Sequence, residues 1–92
     1  LGRFVGIVFT QSADKHDVPN GDALYAIANA VYSSERVRGE RDTGARMVFI
    51  GPPHAQTERL LEVLIERRAG DFIVFHVMPL GDFYTRQMEG DR

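Results

Sequence analysis

Three short apolar runs do most to limit what this chain can fold into. Phe4-Val5-Gly6-Ile7-Val8-Phe9 is rich in β-branched and aromatic residues and reads as a strand covered on both faces. Ala45-Arg46-Met47-Val48-Phe49-Ile50 reads as a second strand, ended by Gly51-Pro52-Pro53. Phe72 to Val77 is a third by composition. None approaches the ~20 apolar residues that a membrane-spanning helix needs.

Between these runs lies helical signal. Leu24, Ile27, Ala28 and Val31 fall at i, i+3, i+4 and i+7, which predicts a helix over Gly21 to Tyr32 with one apolar stripe. Asn20 is suited to cap it, and Asp22 in its first turn complements the helix dipole. Thr10 or Ser12 is placed to cap a shorter helix through Gln11 to His16. Ser33 to Arg46 turns polar, with Gly39 and Thr43-Gly44 as turn signals, and reads as a loop with room for a short strand at Arg36 to Arg38. Leu80 to Met88 reads as a short helix or an irregular tail.

Thr57 to Arg68 reads two ways. Leu60, Leu61, Leu64 and Ile65 have helical spacing, yet Leu61, Val63 and Ile65 alternate with Leu60, Glu62, Leu64 and Glu66 as a strand would. Local propensity leans to helix. Ala69-Gly70 would instead join this segment to the next strand as a tight hairpin.

The 92 residues, 43% of them hydrophobic, suit a single α+β domain spanning 1–92 and leave no room for a second. With no cysteine, disulfides and thiolate-bound zinc are excluded. No secretion signal is visible near the start, so a cytoplasmic location is expected; the chain opens on Leu1, so a trimmed or altered start is expected too. The net charge of −2 argues against strong nonspecific nucleic-acid binding. Arginines nevertheless crowd at Arg36, Arg38, Arg41 and Arg46. Their planar forks suit phosphate, although a preference for arginine codons explains the same excess.

Few residues offer chemistry. Of the three histidines, His76 lies on the last strand, where alternation puts it on one face with Phe72, Val74 and Met78. It reads either as a buried histidine with both nitrogens satisfied or as a proton-transfer group. His16 follows Lys15, and neighbours on a helix point about 100° apart, so the two meet a common site only at its edge. His54 reads as a loop residue. The histidine spacing matches no metal motif, so no metal or other cofactor is expected. Prolines at 52 and 53 remove the amide donors of a phosphate nest. Glu62 and Glu66 read first as a solvated face and second as an acid–base pair. Tyr25 and Tyr32 read as the rim of the core.

Taken together, Phe9-Thr10, Ala13, Lys15-His16-Asp17-Val18 and the helix opening at Asp22-Ala23 form an ordered set of elements. It continues through Val48-Phe49-Ile50-Gly51, Arg59-Leu60-Leu61-Glu62-Val63 and Val74-Phe75-His76-Val77-Met78-Pro79. This order resembles the RelE/BrnT-like toxins of bacterial type II toxin–antitoxin systems, from about Phe9 to Tyr84. The resemblance implies an α+β fold with short N-terminal helices packed on a small antiparallel sheet, and it resolves Thr57 to Val77 as a hairpin. It also implies a metal-independent endoribonuclease that inhibits translation, with RNA or the ribosome as target and a protein antitoxin as partner. By position, His76, His16 and Lys15 would be catalytic, and Arg46, Arg59, Tyr84 and Arg86 would contact RNA. The sequence departs from the family at Met78, where relatives often carry a basic residue, and at Phe83-Tyr84-Thr85-Arg86, where they carry a glutamate–arginine and tyrosine pattern.

Two functions remain open at this point: a toxin-like ribonuclease, or a non-catalytic protein-interaction module on the same scaffold. Convergence of Arg46, Arg59 and Arg86 around His76 in a cleft would favour the first; their dispersal, with His76 enclosed by apolar side chains, would favour the second.

Overall fold

The computed structural model describes residues 6–39 and 45–91. Along the chain run β1 (Ile7–Phe9), a 3-10 turn (Gln11–His16), α1 (Asn20–Ala28), β2 (Tyr32–Ser34), β3 (Arg46–Gly51), β4 (Leu61–Arg68), β5 (Asp71–Pro79) and α2 (Asp82–Gly90). The expected strand residues Phe4 and Val5 and the turn signal Thr43-Gly44 lie outside the described residues.

The strands form one five-stranded sheet in the order β1-β5-β4-β3-β2. From β2 to β5 every neighbouring pair is antiparallel, but β1 runs parallel to β5, with Ile7 beside Phe72 and Phe9 beside Val74. The sheet is therefore mixed, which corrects the expectation of an antiparallel one. A parallel pair needs a long crossover rather than a hairpin. Here the chain leaves β1, crosses one face through the 3-10 turn and α1, and enters β2 at the far edge. β1 and β2 thus run antiparallel at opposite edges, and β1 meets β5 only after the rest of the sheet is laid down; nothing local to Ile7–Phe9 encodes that pairing.

The hairpin between β4 and β5 is present. Ala69 and Gly70 both have positive φ, 51° and 87°, which is the two-residue turn whose twist matches the flanking strands. β4 became a strand despite its helical spacing because both its faces are covered. Leu61, Glu62, Val63, Leu64 and Ile65 are all buried in the middle of the sheet. A buried central strand loses the polar alternation that marks a half-exposed one.

One face of the sheet packs Leu61, Val63, Ile65, Val74 and Val77 against Ala13, Ala23 and Ala26 of the N-terminal helical segments. The stripe expected on α1 is not the buried one. Leu24 is exposed, Val31 lies beyond the end of the helix and is 65% exposed, and only Ile27 joins the core. The cause is a close approach of backbones: a Cβ on Gly51 would fall 2.2 Å from the carbonyl oxygen of Ala26. At that separation only the small side chains of α1 fit against β3. Asn20 opens α1 without a capping side-chain bond, and Pro19 takes the cap position. Likewise Thr10 caps nothing with its hydroxyl, which bonds Ser12, while Ser12 donates to the Phe75 carbonyl.

α2 covers the opposite face. Tyr84 packs with Val48, Ile50 and Leu64, joined by the partly buried Met88 and Tyr32. The end of α2 is tied to β2, where Tyr32 Oη donates to Asp91 at 2.6 Å and Arg36 pairs with the same carboxylate. Among the described residues no helix is long and apolar enough to cross a membrane.

Candidate functional site

The site forms where β4, β5 and the start of α2 meet. Its geometry begins with a break in β5. Leu64 pairs with His76 and Ile65 with Val74, which leaves Phe75 as an extra residue. A bulge of this kind reverses the alternation beyond it. Val74 therefore joins the core under α1, whereas His76 projects on the α2 side beside Glu62. This corrects the expectation that His76 shares a face with Phe72 and Val74; Met78 alone of that set lines the same cleft.

His76 Nε2 lies 2.9 Å from Glu62 Oε2, and Glu62 Oε1 accepts the backbone N–H of Gly81 at 2.8 Å. An ionised carboxylate only accepts, so against it Nε2–H is the donor, and in the neutral ring Nδ1 keeps its lone pair. The two side chains differ in access: Glu62 is 8% exposed and His76 29%. The solvated-face reading of Glu62 is thus overturned, because its charge is buried and spent on orienting an imidazole that solutes can reach. Glu62 also sits at the N-terminal end of α2, where a negative charge is favoured by the helix dipole.

An open cleft of about 310 Å³ adjoins this pair, lined also by Arg38, Met78, Phe83 and Tyr84. The guanidinium of Arg38 lies over the Phe83 ring, 5.0 Å from its centroid. The His16 ring meets that of His76 edge-on, with centroids 5.9 Å apart. It arrives there because the 3-10 turn continues past β1 along the outer edge of β5, held by the bond from Ser12 to Phe75. Lys15, next to His16, is exposed.

The three expected arginines lie apart. Arg46 Nε is 2.9 Å from Glu66 Oε1, and its guanidinium covers Phe75 at 4.7 Å. Arg68 and then Arg46 hold the Glu66 carboxyl below the usual carboxylate range. Arg59 is exposed and borders a separate cleft of about 200 Å³ with Asp17 and Asp22. Arg86 is exposed on α2 and borders a third cleft with Arg36, Phe83 and Gln87. Tyr84 is buried, lines the His76 cleft, and its hydroxyl accepts the backbone N–H of Arg38 at 2.9 Å. His54 sits in its loop and accepts the N–H of Gln56.

Sequence reasoning missed Glu62 as the partner of His76, and Arg38 and Phe83 as cleft residues. Arg38 stands among the crowded arginines, but its place in the cleft takes meaning only from Tyr84. Among the described residues no group of three histidine or carboxylate side chains is placed to hold a metal ion. What the arrangement offers is a histidine oriented by a buried carboxylate, a second imidazole beside it and a guanidinium on the wall.

Fold and site together define the chain as a small α+β domain with a histidine–glutamate pair in an open cleft. It matches no protein-family model, no curated protein and no solved structure.

Proposed function

We propose that this domain is a toxin-like endoribonuclease of the kind found in toxin–antitoxin pairs, cleaving RNA by attack of a 2′-hydroxyl on the adjacent phosphate. The observation that carries the reading is the 2.9 Å contact between a reachable His76 and a buried Glu62. Histidine is the side chain suited to both accept and donate a proton near neutral pH. With Nε2–H directed at Glu62, Nδ1 takes the proton of the 2′-hydroxyl. The 2′-oxygen bonds to phosphorus, the bond to the 5′-oxygen breaks, and His16 in its protonated form donates to the leaving oxygen. The Arg38 guanidinium offsets charge on the phosphorane. The products are a 2′,3′-cyclic phosphate and a 5′-hydroxyl. Positioned acid–base groups of this type contribute about 10²–10⁴-fold to a rate. Glu62 is the positioning residue, since it acts through His76.

The dispersal of Arg46, Arg59 and Arg86 meets one condition of the second reading, a protein-interaction module without catalysis, whereas His76, 29% exposed beside Glu62, does not meet the other. Expression in bacteria separates the two. Induction of the chain alone is expected to arrest growth, and His76→Ala to relieve the arrest at equal protein level. Normal growth with abundant folded wild-type protein contradicts the ribonuclease reading.

A further inference from the structure

We propose that Arg38 and Phe83 form a stacking platform for a nucleobase, so that the RNA bound at the His76 cleft is single-stranded and is held by base stacking more than by phosphate charge. The inference rests on the ribonuclease reading and adds the class of substrate and the residues that select it. Phe83 is a large apolar side chain left 38% exposed in the first turn of α2. It borders two clefts at once, that of His76 and the neighbouring one with Arg36 and Arg86. It therefore forms the ridge that a strand would cross in passing from one to the other.

The platform is built in advance. Tyr84 meets the Phe83 ring edge-on, with centroids 4.9 Å apart at 83°, and the same buried tyrosine accepts the backbone N–H of Arg38. One side chain thus meets the Phe83 ring and holds the backbone from which Arg38 reaches over it. An aromatic ring and a guanidinium plane are the two protein surfaces on which unpaired bases stack, whatever their sequence.

The charge pattern argues for bases over phosphates. Asp82 lines the His76 cleft beside Arg38, Arg36 is engaged by Asp91, and the whole chain carries a net charge of −2. A duplex presents a dense strip of phosphates that this mixed rim does not match, whereas a splayed single strand presents the flat face of a base.

Binding of fluorescein-labelled oligoadenylate, measured by anisotropy in a His76→Ala background, tests the platform apart from cleavage. Phe83→Ala is expected to weaken binding about tenfold or more, and Phe83→Trp to retain it. Phe83→Leu keeps apolar bulk for the fold without an aromatic face, and is expected to lose binding as Phe83→Ala does. An abasic oligonucleotide of equal length, or a duplex, is expected to bind the parent protein no better than oligoadenylate binds Phe83→Leu. Binding of oligoadenylate unchanged by Phe83→Leu overturns the platform, as does equal binding of the abasic strand or binding confined to a protein partner. RNA cleavage that persists with Phe83 irrelevant sinks this inference alone and leaves the ribonuclease reading standing.

Discussion

Glu62 and His76 are two residues apart in register on neighbouring strands, and the bulge at Phe75 is what turns them to the same side. Without that extra residue the imidazole would face the core under α1. The second oxygen of the same carboxylate takes the Gly81 N–H, so one buried group both orients the histidine and docks the start of α2.

Two substitutions at Glu62 should therefore separate. Glu62→Ala leaves the Gly81 N–H without its acceptor and is expected to cost about 1–3 kcal/mol in urea denaturation. Glu62→Gln keeps an acceptor for Gly81 and is expected to fold with much smaller loss. Its amide can donate to Nε2, however, which moves the imidazole proton to Nδ1 and removes the base. Cleavage by Glu62→Gln is expected to lose kcat with little change in KM.

The contact between α1 and β3 makes a second prediction. Gly51→Ala would drive a methyl group to 2.2 Å from the Ala26 carbonyl oxygen, so the helix must shift. Overpacking of this kind costs about 1–3 kcal/mol, measurable as a lower thermal midpoint. The His76 cleft lies on the other face, and cleavage measured well below that midpoint should survive.

The β4–β5 turn is open to improvement. Ala69 holds φ of 51°, a region that costs an L-residue with a Cβ about 1–2 kcal/mol. Asn tolerates it, and Asn-Gly is the pair such turns prefer. Ala69→Asn is expected to raise stability, and Gly70→Ala, at φ of 87°, to lower it by a comparable amount. Equal melting of both variants and the parent would contradict the assigned turn.

Acid should loosen the molecule at two carboxylates. Hydrogen bonds from Tyr32 and then Arg36 hold Asp91 below the usual carboxylate range, and Arg68 and Arg46 do the same for Glu66. A carboxyl lowered by folding contributes its full share above the pKa it has when unfolded, and loses it as pH falls through the lowered value. The share from Asp91 and Glu66 is expected to be constant above the ordinary carboxylate range and to be lost below it. Asp91→Asn should remove part of that loss, read from melts across the acid range.

Much of the scaffold was legible in the sequence because short β-branched runs and Ala69-Gly70 carry strand and turn information locally. What escaped was decided at a distance. Leu24 and Val31 suggested an apolar stripe, but the approach of Gly51 to Ala26 chose the small-residue face. β1 pairs with β5, a strand distant in sequence, so its direction is not written in its own residues. His76 changed face through one unpaired residue, which strict alternation cannot anticipate. Glu62 resembled any surface glutamate, since a buried charge is recognised only by the imidazole and amide that meet it.

The ribonuclease proposal requires that His76 perform chemistry on RNA. The direct measurement is cleavage of a single-stranded RNA by purified protein with chelator present, with the product ends analysed. The wild type is expected to leave 2′,3′-cyclic phosphates and 5′-hydroxyls, and folded His76→Ala to be slower by about 10²–10⁴-fold. Equal rates for the two proteins, or no cleavage by folded wild type, would contradict it.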